Sequence, residues 1–150
     1  TAGVDPNARR NFWEELHRLA ARGISVLVST HYMDEAERCH KLAYIANGRL
    51  LAQGPVDEVV RFQGLSTYSV RGEGVTTLAS QLERMPGVDQ TVAFGSVLHV
   101  TGRDAAALEA SLRELAASRP DVQIERIETS LEDVFIHLVA HASEDAGGGS

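Results

Sequence analysis

Between Gly23 and His31 runs Ile24-Ser25-Val26-Leu27-Val28-Ser29, and no other stretch limits the fold as much. It is nearly continuous in apolar residues and rich in β-branched ones, the pattern of a strand covered on both faces in a parallel sheet. Such a strand needs other strands beside it, and the sequence does not supply them. Burying one such side chain contributes roughly 1.5–3 kcal/mol, so leaving Ile24, Val26, Leu27 and Val28 uncovered forfeits on the order of 6–12 kcal/mol. A whole domain is stable by only about 5–15 kcal/mol. Residues 1–62 are therefore expected to be marginal alone, or to be held by the second segment of the chain or by self-association.

What flanks this stretch fits an α/β layered fold. Asp5 is placed to cap a helix and Pro6 suits its first position, where a missing N–H costs nothing. Phe12, Leu16, Leu19 and Ala20 recur at helical spacing, and Gly23 follows Arg22 as a stop. Beyond His31 a short helix is expected from Met33 to Cys39. Apolar runs at 42–46 and 49–53 are separated by Asn47-Gly48, the strongest short hairpin signal, because both residues tolerate positive φ. A helix carrying Val56, Val59, Val60 and Phe62 then starts at Gly54-Pro55, with Asp57 and Glu58 favourably placed in its first turn.

Gln63-Gly64-Leu65-Ser66 reads as a boundary. After it the pattern is strand 67–71, helix 75–84 stopped by Pro86-Gly87, strand 88–94, a turn at Gly95-Ser96 and strand 97–101. A helix over 104–118 and a strand over 122–127 complete a β-α-β-β-α-β succession, the ferredoxin-like α+β arrangement. A last helix begins at Ser130, with Asp133 three residues on as a capping box. Its apolar stripe is Leu131, Val134, Phe135, Leu138 and Val139. The expected division is 1–64, 65–142 and a polar, Gly-rich disordered tail over 143–150.

Composition removes several classes of function. The 150 residues are 43% hydrophobic, enough for a packed core, and hold one cysteine, Cys39, so there is no internal disulfide and no all-cysteine metal cluster. No apolar run approaches the roughly 18 residues of a membrane span. The opening residues carry no basic region before an apolar stretch, so no secretory leader is expected. Residues 1–65 hold 8 basic and 8 acidic residues, whereas 66–150 hold 6 and 13, which accounts for the whole net charge of −7. An acidic second half argues against a nucleic-acid or anionic-membrane surface there. Of the 14 basic residues one alone, Lys41, is a lysine.

The best candidate for chemistry is His31, just past the carboxyl end of the expected buried strand, where open α/β sheets place their ligands. An imidazole there can donate to a phosphate oxygen or orient a water. Thr1-Ala-Gly-Val-Asp-Pro6, followed by Val28-Ser-Thr-His-Tyr-Met-Asp-Glu-Ala-Glu37, resembles the ATP-binding subunits of ABC transporters. Leu42 to Pro55 resembles that family's hairpin and closing helix. Ser130-Leu-Glu-Asp-Val-Phe-Ile-His-Leu138 resembles the C-terminal extension of ABC-2 exporter ATPases, the multidrug and antibiotic-resistance kind. The resemblance implies that the first segment is part of a P-loop nucleotide-binding domain. His31 then corresponds to the switch histidine, touching the γ-phosphate and helping to hold the attacking water. Asp5 corresponds to the D-loop, communicating across a dimer of nucleotide-binding domains, and Gly3 to the residue that gives that loop its backbone freedom.

The resemblance also implies what is needed besides this chain. A Walker A loop requires G-x-x-x-x-G-K-[ST], and Lys41 stands in Cys-His-Lys-Leu. The signature motif, Q-loop, Walker B aspartate and catalytic glutamate do not occur either. The chain is expected to be the C-terminal part of a longer subunit that uses ATP and Mg²⁺, pairs with a second copy, drives a transmembrane permease and sits in the cytoplasm at the inner membrane face. On its own it is expected to need no cofactor and to turn over no ATP. A different class of reading is a ligand-sensing or dimerising α+β module without catalysis, which rests on fold analogy. A stand-alone hydrolase built on His31 lacks any nucleophile or metal set.

Other polar residues have plain readings. His137 and His141 share a helix face but have no third ligand for a metal. His17, His40 and His99 have no partner pattern. Cys39 reads as a small buried residue, Trp13 as packing on the first helix, and Ser29 and Thr30 lack a G-x-S-x-G context. Asp34, Glu35 and Glu37 read as a solvated helix face.

Overall fold

A computed structural model of the chain describes residues 3–147, those from 143 onward by backbone alone. Thr1 and Ala2 of the expected loop, and 148–150 of the expected tail, lie outside the described residues. The chain forms two compact units, Thr1–Cys39 and His40–Ser150.

In the first unit, helix α1 spans Pro6–Ala21. Asp5 caps it by accepting the N–H groups of Asn7 and Ala8, each at 3.1 Å, and Pro6 opens the helix. Trp13 is the buried residue of this helix, with the Phe12 ring edge-on at 6.0 Å. The expected strand over 24–29 does not form: residues 24–30 run without regular structure. A strand is defined by its ladder, and among the described residues of this unit none lies beside it. Leu27 is left in water, 98% exposed, Ile24 and Val26 are 48% and 41% exposed, and Val28 is half-buried. Helix α2 covers Met33–Ala36, shorter than the expected 33–39. The chain after it turns through 3₁₀-type bonds, Arg38 N–H to the Glu35 carbonyl and Cys39 N–H to that of Ala36.

The second unit begins with a hairpin. Strands β1 (Lys41–Ala46) and β2 (Arg49–Pro55) pair antiparallel, with a bulge at Tyr44/Ile45. Asn47 and Gly48 have φ of +52° and +73°, the double left-handed pair that a two-residue type I′ turn needs. Helix α3 (Val56–Phe62) follows. Four more strands, β3 (Ser66–Arg71), β4 (Gln90–Phe94), β5 (Val97–Gly102) and β6 (Gln123–Ile127), form a sheet in the order β4-β5-β3-β6 with every neighbouring pair antiparallel.

The helix expected over 75–84 divides into a 3₁₀ turn, Val75–Leu78, and one α-turn, α4 (Ala79–Leu82). Val75, Thr76 and Thr77 are β-branched, and the Thr77 hydroxyl donates to the Gly74 carbonyl at 2.6 Å, a local bond that competes with regular helix. Helix α5 (Ala105–Ser118) is capped by Asp104, which accepts the Ala107 N–H at 3.0 Å. Gly87 sits at φ +79°, and a Cβ there would run into the backbone of Ala107 and Leu108 in the first turn of α5. Only glycine fits that approach.

Helix α6 spans Leu131–Gly147, so helix continues past Ser143, where the sequence predicts a disordered tail. Ser130 and Asp133 make the reciprocal capping box: the Asp133 N–H donates to Ser130 Oγ at 3.1 Å, and the Ser130 N–H donates to Asp133 Oδ2 at 3.3 Å. One sheet face supplies Val70, Leu98 and Val100 to an apolar core with Leu82, Leu108, Leu112 and Leu115. The alternate residues of the same strands, Thr67, Ser69, His99 and Thr101, face the other way. That second face meets α6 through polar contacts. The hairpin lies on α6 as well, with Tyr44 stacked on Phe135 at 3.9 Å. The boundary expected at 64/65 thus falls within the second compact unit.

Candidate functional site

In the first unit the candidate residues lie at two places, Gly3 and Asp5 at the N-terminus of α1 and His31 at the entry to α2. Gly3 has φ +76° and lies two residues before the Asp5 cap. The Asp5 carboxylate is committed to that cap and its carbonyl accepts the Arg9 N–H at 2.9 Å. His31 follows the irregular segment 24–30 and is exposed, its ring against that of Tyr32 with centroids 4.2 Å apart. An open cleft of about 470 Å³ is lined by Gly3, Arg9, Arg10, Tyr32 and Arg38, among others. Gly3 thus shares a cleft with the residue next to His31, and neither Asp5 nor His31 lines it. An exposed imidazole is free to meet a phosphate oxygen; a capping carboxylate is not.

The acidic face read at 34–37 is not uniformly solvated. Glu35 is 2% exposed and both its oxygens are used. Oε1 accepts from Arg9 Nε at 2.9 Å and Oε2 from the Thr30 hydroxyl at 2.5 Å. Arg9 also reaches Asp34 Oδ2 through Nη2 at 2.9 Å, and its guanidinium lies over the Tyr32 ring, 5.5 Å from the centroid. A buried carboxylate must be paired to be tolerated, and Arg9 supplies the charge. Local pattern could not reveal this, because the partner stands 26 residues upstream. Cys39 is half-buried, with Sγ 3.7 Å from the Glu35 carbonyl. Burial, then the Glu35 charge, pushes its thiol up, away from the reactive thiolate.

The second unit holds a polar layer between the sheet and α6. His99 does have a partner: its Nδ1 lies 3.0 Å from Oδ2 of the fully buried Asp133. The same oxygen accepts the Ser130 hydroxyl at 2.7 Å. His137, buried to 1% exposure, takes an Arg103 Nη2 contact at 3.1 Å on Nε2 and packs on the His141 ring at 4.0 Å. Burial first, then the charges of His141 and Arg103, holds His137 below the ordinary imidazole value, with Asp89 pulling the other way. Among the described residues no group of three His, Cys, Asp or Glu could hold a metal ion. None of the helices there is long and apolar enough to cross a membrane.

Comparison with known proteins bears on what these parts belong to. The chain is 36% identical over 149 residues, 97% of its own length, to the Nod factor export ATP-binding protein I of Ralstonia nicotianae. It is 35% identical over 147 residues to the protein of that name from Paraburkholderia xenovorans, and 31% identical over 149 residues to that of Neorhizobium galegae. The chain is homologous to part of an ABC transporter ATP-binding subunit. It spans 46% of the first two relatives and 40% of the third, less than half the length of each. No protein-family model matches it.

Proposed function

We propose that this chain is the C-terminal part of the ATP-hydrolysing subunit of an ABC-type exporter. The observation that carries the reading is the similarity over 97% of the chain to export ATP-binding proteins. In the intact subunit His31 contacts the γ-phosphate of ATP and helps hold the attacking water. Gly3 and the Asp5-capped turn form the loop that meets a second copy of the subunit. ATP and Mg²⁺ are gripped by residues other than those of this chain, whose one lysine, Lys41, is exposed at the start of β1. The subunit works at the cytoplasmic face of the membrane on a permease, and the cargo is selected by that membrane partner. Alone, the chain neither binds ATP tightly nor hydrolyses it.

Residues 1–64 are in this reading the last part of the nucleotide-binding domain. Residues 65–142 form an accessory ferredoxin-like domain, supported by the β-α-β-β-α-β succession and the order β4-β5-β3-β6. The same arrangement favours the second reading, a ligand-sensing or dimerising module without catalysis.

The test uses a subunit in which this chain replaces the matching part of the Ralstonia nicotianae protein. ATP hydrolysis that falls by about a hundredfold or more on His31→Ala supports the reading, the usual size of loss when a group acting on the transferred phosphoryl is removed. Unchanged hydrolysis in His31→Ala overturns it. Hydrolysis that persists when the chain from Ser66 onward is deleted assigns that part a regulatory or coupling role.

A further inference from the structure

The loop carrying His31 is held from both sides while the imidazole itself stays exposed. On one side Thr30 donates its hydroxyl to Glu35, and its Oγ1 accepts the Tyr32 N–H at 3.0 Å, so one side chain closes the turn around His31. On the other side the Tyr32 ring lies under the Arg9 guanidinium. Glu35, which anchors Thr30, is in turn anchored by Arg9 Nε. Both restraints therefore end on one residue. Arg9 belongs to the first turn of α1, where its own N–H donates to the Asp5 carbonyl.

We infer that Arg9 is a positioning residue: its forked contact with Glu35 and Asp34 and its place over Tyr32 fix His31 relative to the turn capped by Asp5. A guanidinium is required for this. It presents planar donors to two carboxylates and a flat face to the ring at the same time, which a lysine ammonium cannot do. The Asp34 arm is open to solvent and worth little alone; the buried Glu35 arm carries the alignment. Any shift of the Asp5 turn is transmitted to His31 through one rigid side chain, so the two loops move together.

The inference rests on the proposed role of His31, and the experiment separates the two. In the joined subunit, Arg9→Ala is expected to lower kcat by about tenfold to a hundredfold with KM for ATP changed less than about twofold, as misplacing a group by roughly 1 Å does. Arg9→Lys is expected to restore little of it. The double variant Arg9→Ala/His31→Ala should be no slower than His31→Ala alone, since Arg9 acts through that imidazole. A kcat for Arg9→Ala within about twofold of the parent, or losses that multiply in the double variant, overturns the inference.

If His31→Ala leaves hydrolysis unchanged, the functional reading fails and positioning is read without ATP. In the present chain Arg9→Ala should move the ring proton signals of His31 and Tyr32 while the Trp13 indole signals stay in place. Where the Trp13 signals move too, the Arg9→Lys chain is read by the same criterion. Unmoved His31 and Tyr32 signals overturn the inference.

Discussion

The ring of Tyr44 lies flat on that of Phe135, 3.9 Å between centroids and 5° from parallel. This stack joins strand β1 to helix α6, two elements on opposite sides of the boundary expected at 64/65. Phe135 is buried, and removing its ring leaves a cavity beside Tyr44. Phe135→Ala should cost about 3–5 kcal/mol, the range for a buried aromatic truncated in a core. Tyr44→Leu keeps apolar volume and should cost about 1 kcal/mol, chiefly the stacking. Urea unfolding followed by circular dichroism measures both and the double variant; losses that simply add in the double variant would mean that the rings do not act as a pair.

Gly87 offers a backbone test. Its φ of +79° and the lack of room for a Cβ against the start of α5 act together. Gly87→Ala should destabilise the second unit by about 3 kcal/mol or more, combining strain with overpacking. By contrast Gly95, at φ +61° with open space around it, has conformational strain alone to set against substitution. Gly95→Ala is expected to cost about 1 kcal/mol. Thermal unfolding of the two variants gives the comparison.

His137 makes stability depend on mild acid. Its folded state favours the neutral ring, so the unfolded chain binds the proton more readily. The stability it contributes is complete above the ordinary imidazole value near 6.5 and is lost as pH falls through the lowered folded value. Urea midpoints measured between those limits should fall with pH in the parent chain and flatten in His137→Gln. A slope that survives the substitution would place the effect on another group.

Amide exchange should be uneven along the chain. The backbone over 25–29 lies in no strand, whereas β3 is paired on both sides, by β5 and β6. Amides of Val26–Val28 should exchange at least about a hundredfold faster than those of Tyr68 and Val70. Equal protection in the two stretches would show that the apolar run has found partners in solution.

Legibility followed the reach of each interaction. Capping at Asp5 and Ser130, the Asn47-Gly48 turn and the alternation that makes β3 to β6 are set by residues within a few positions of one another, and all were readable. The strand at 24–29 was read from a pattern that anticipates neighbours, and a ladder cannot form without them. Glu35 looked like its exposed neighbours Asp34 and Glu37, because Arg9 enters only through tertiary structure. His99 likewise gained Asp133 across 34 residues. His31 is singled out by its place after an apolar run together with the family resemblance over 28–37, and its role remains a proposal.

The uncovered run from Ile24 to Val28 has a consequence for handling the molecule. It lies in no helix or strand, is free of proline, carries no charge, and presents Leu27 almost fully to water. A segment of that kind is a template on which a like segment can dock edge to edge. At high concentration the chain should self-associate through these residues, and Leu27→Lys should keep it dispersed.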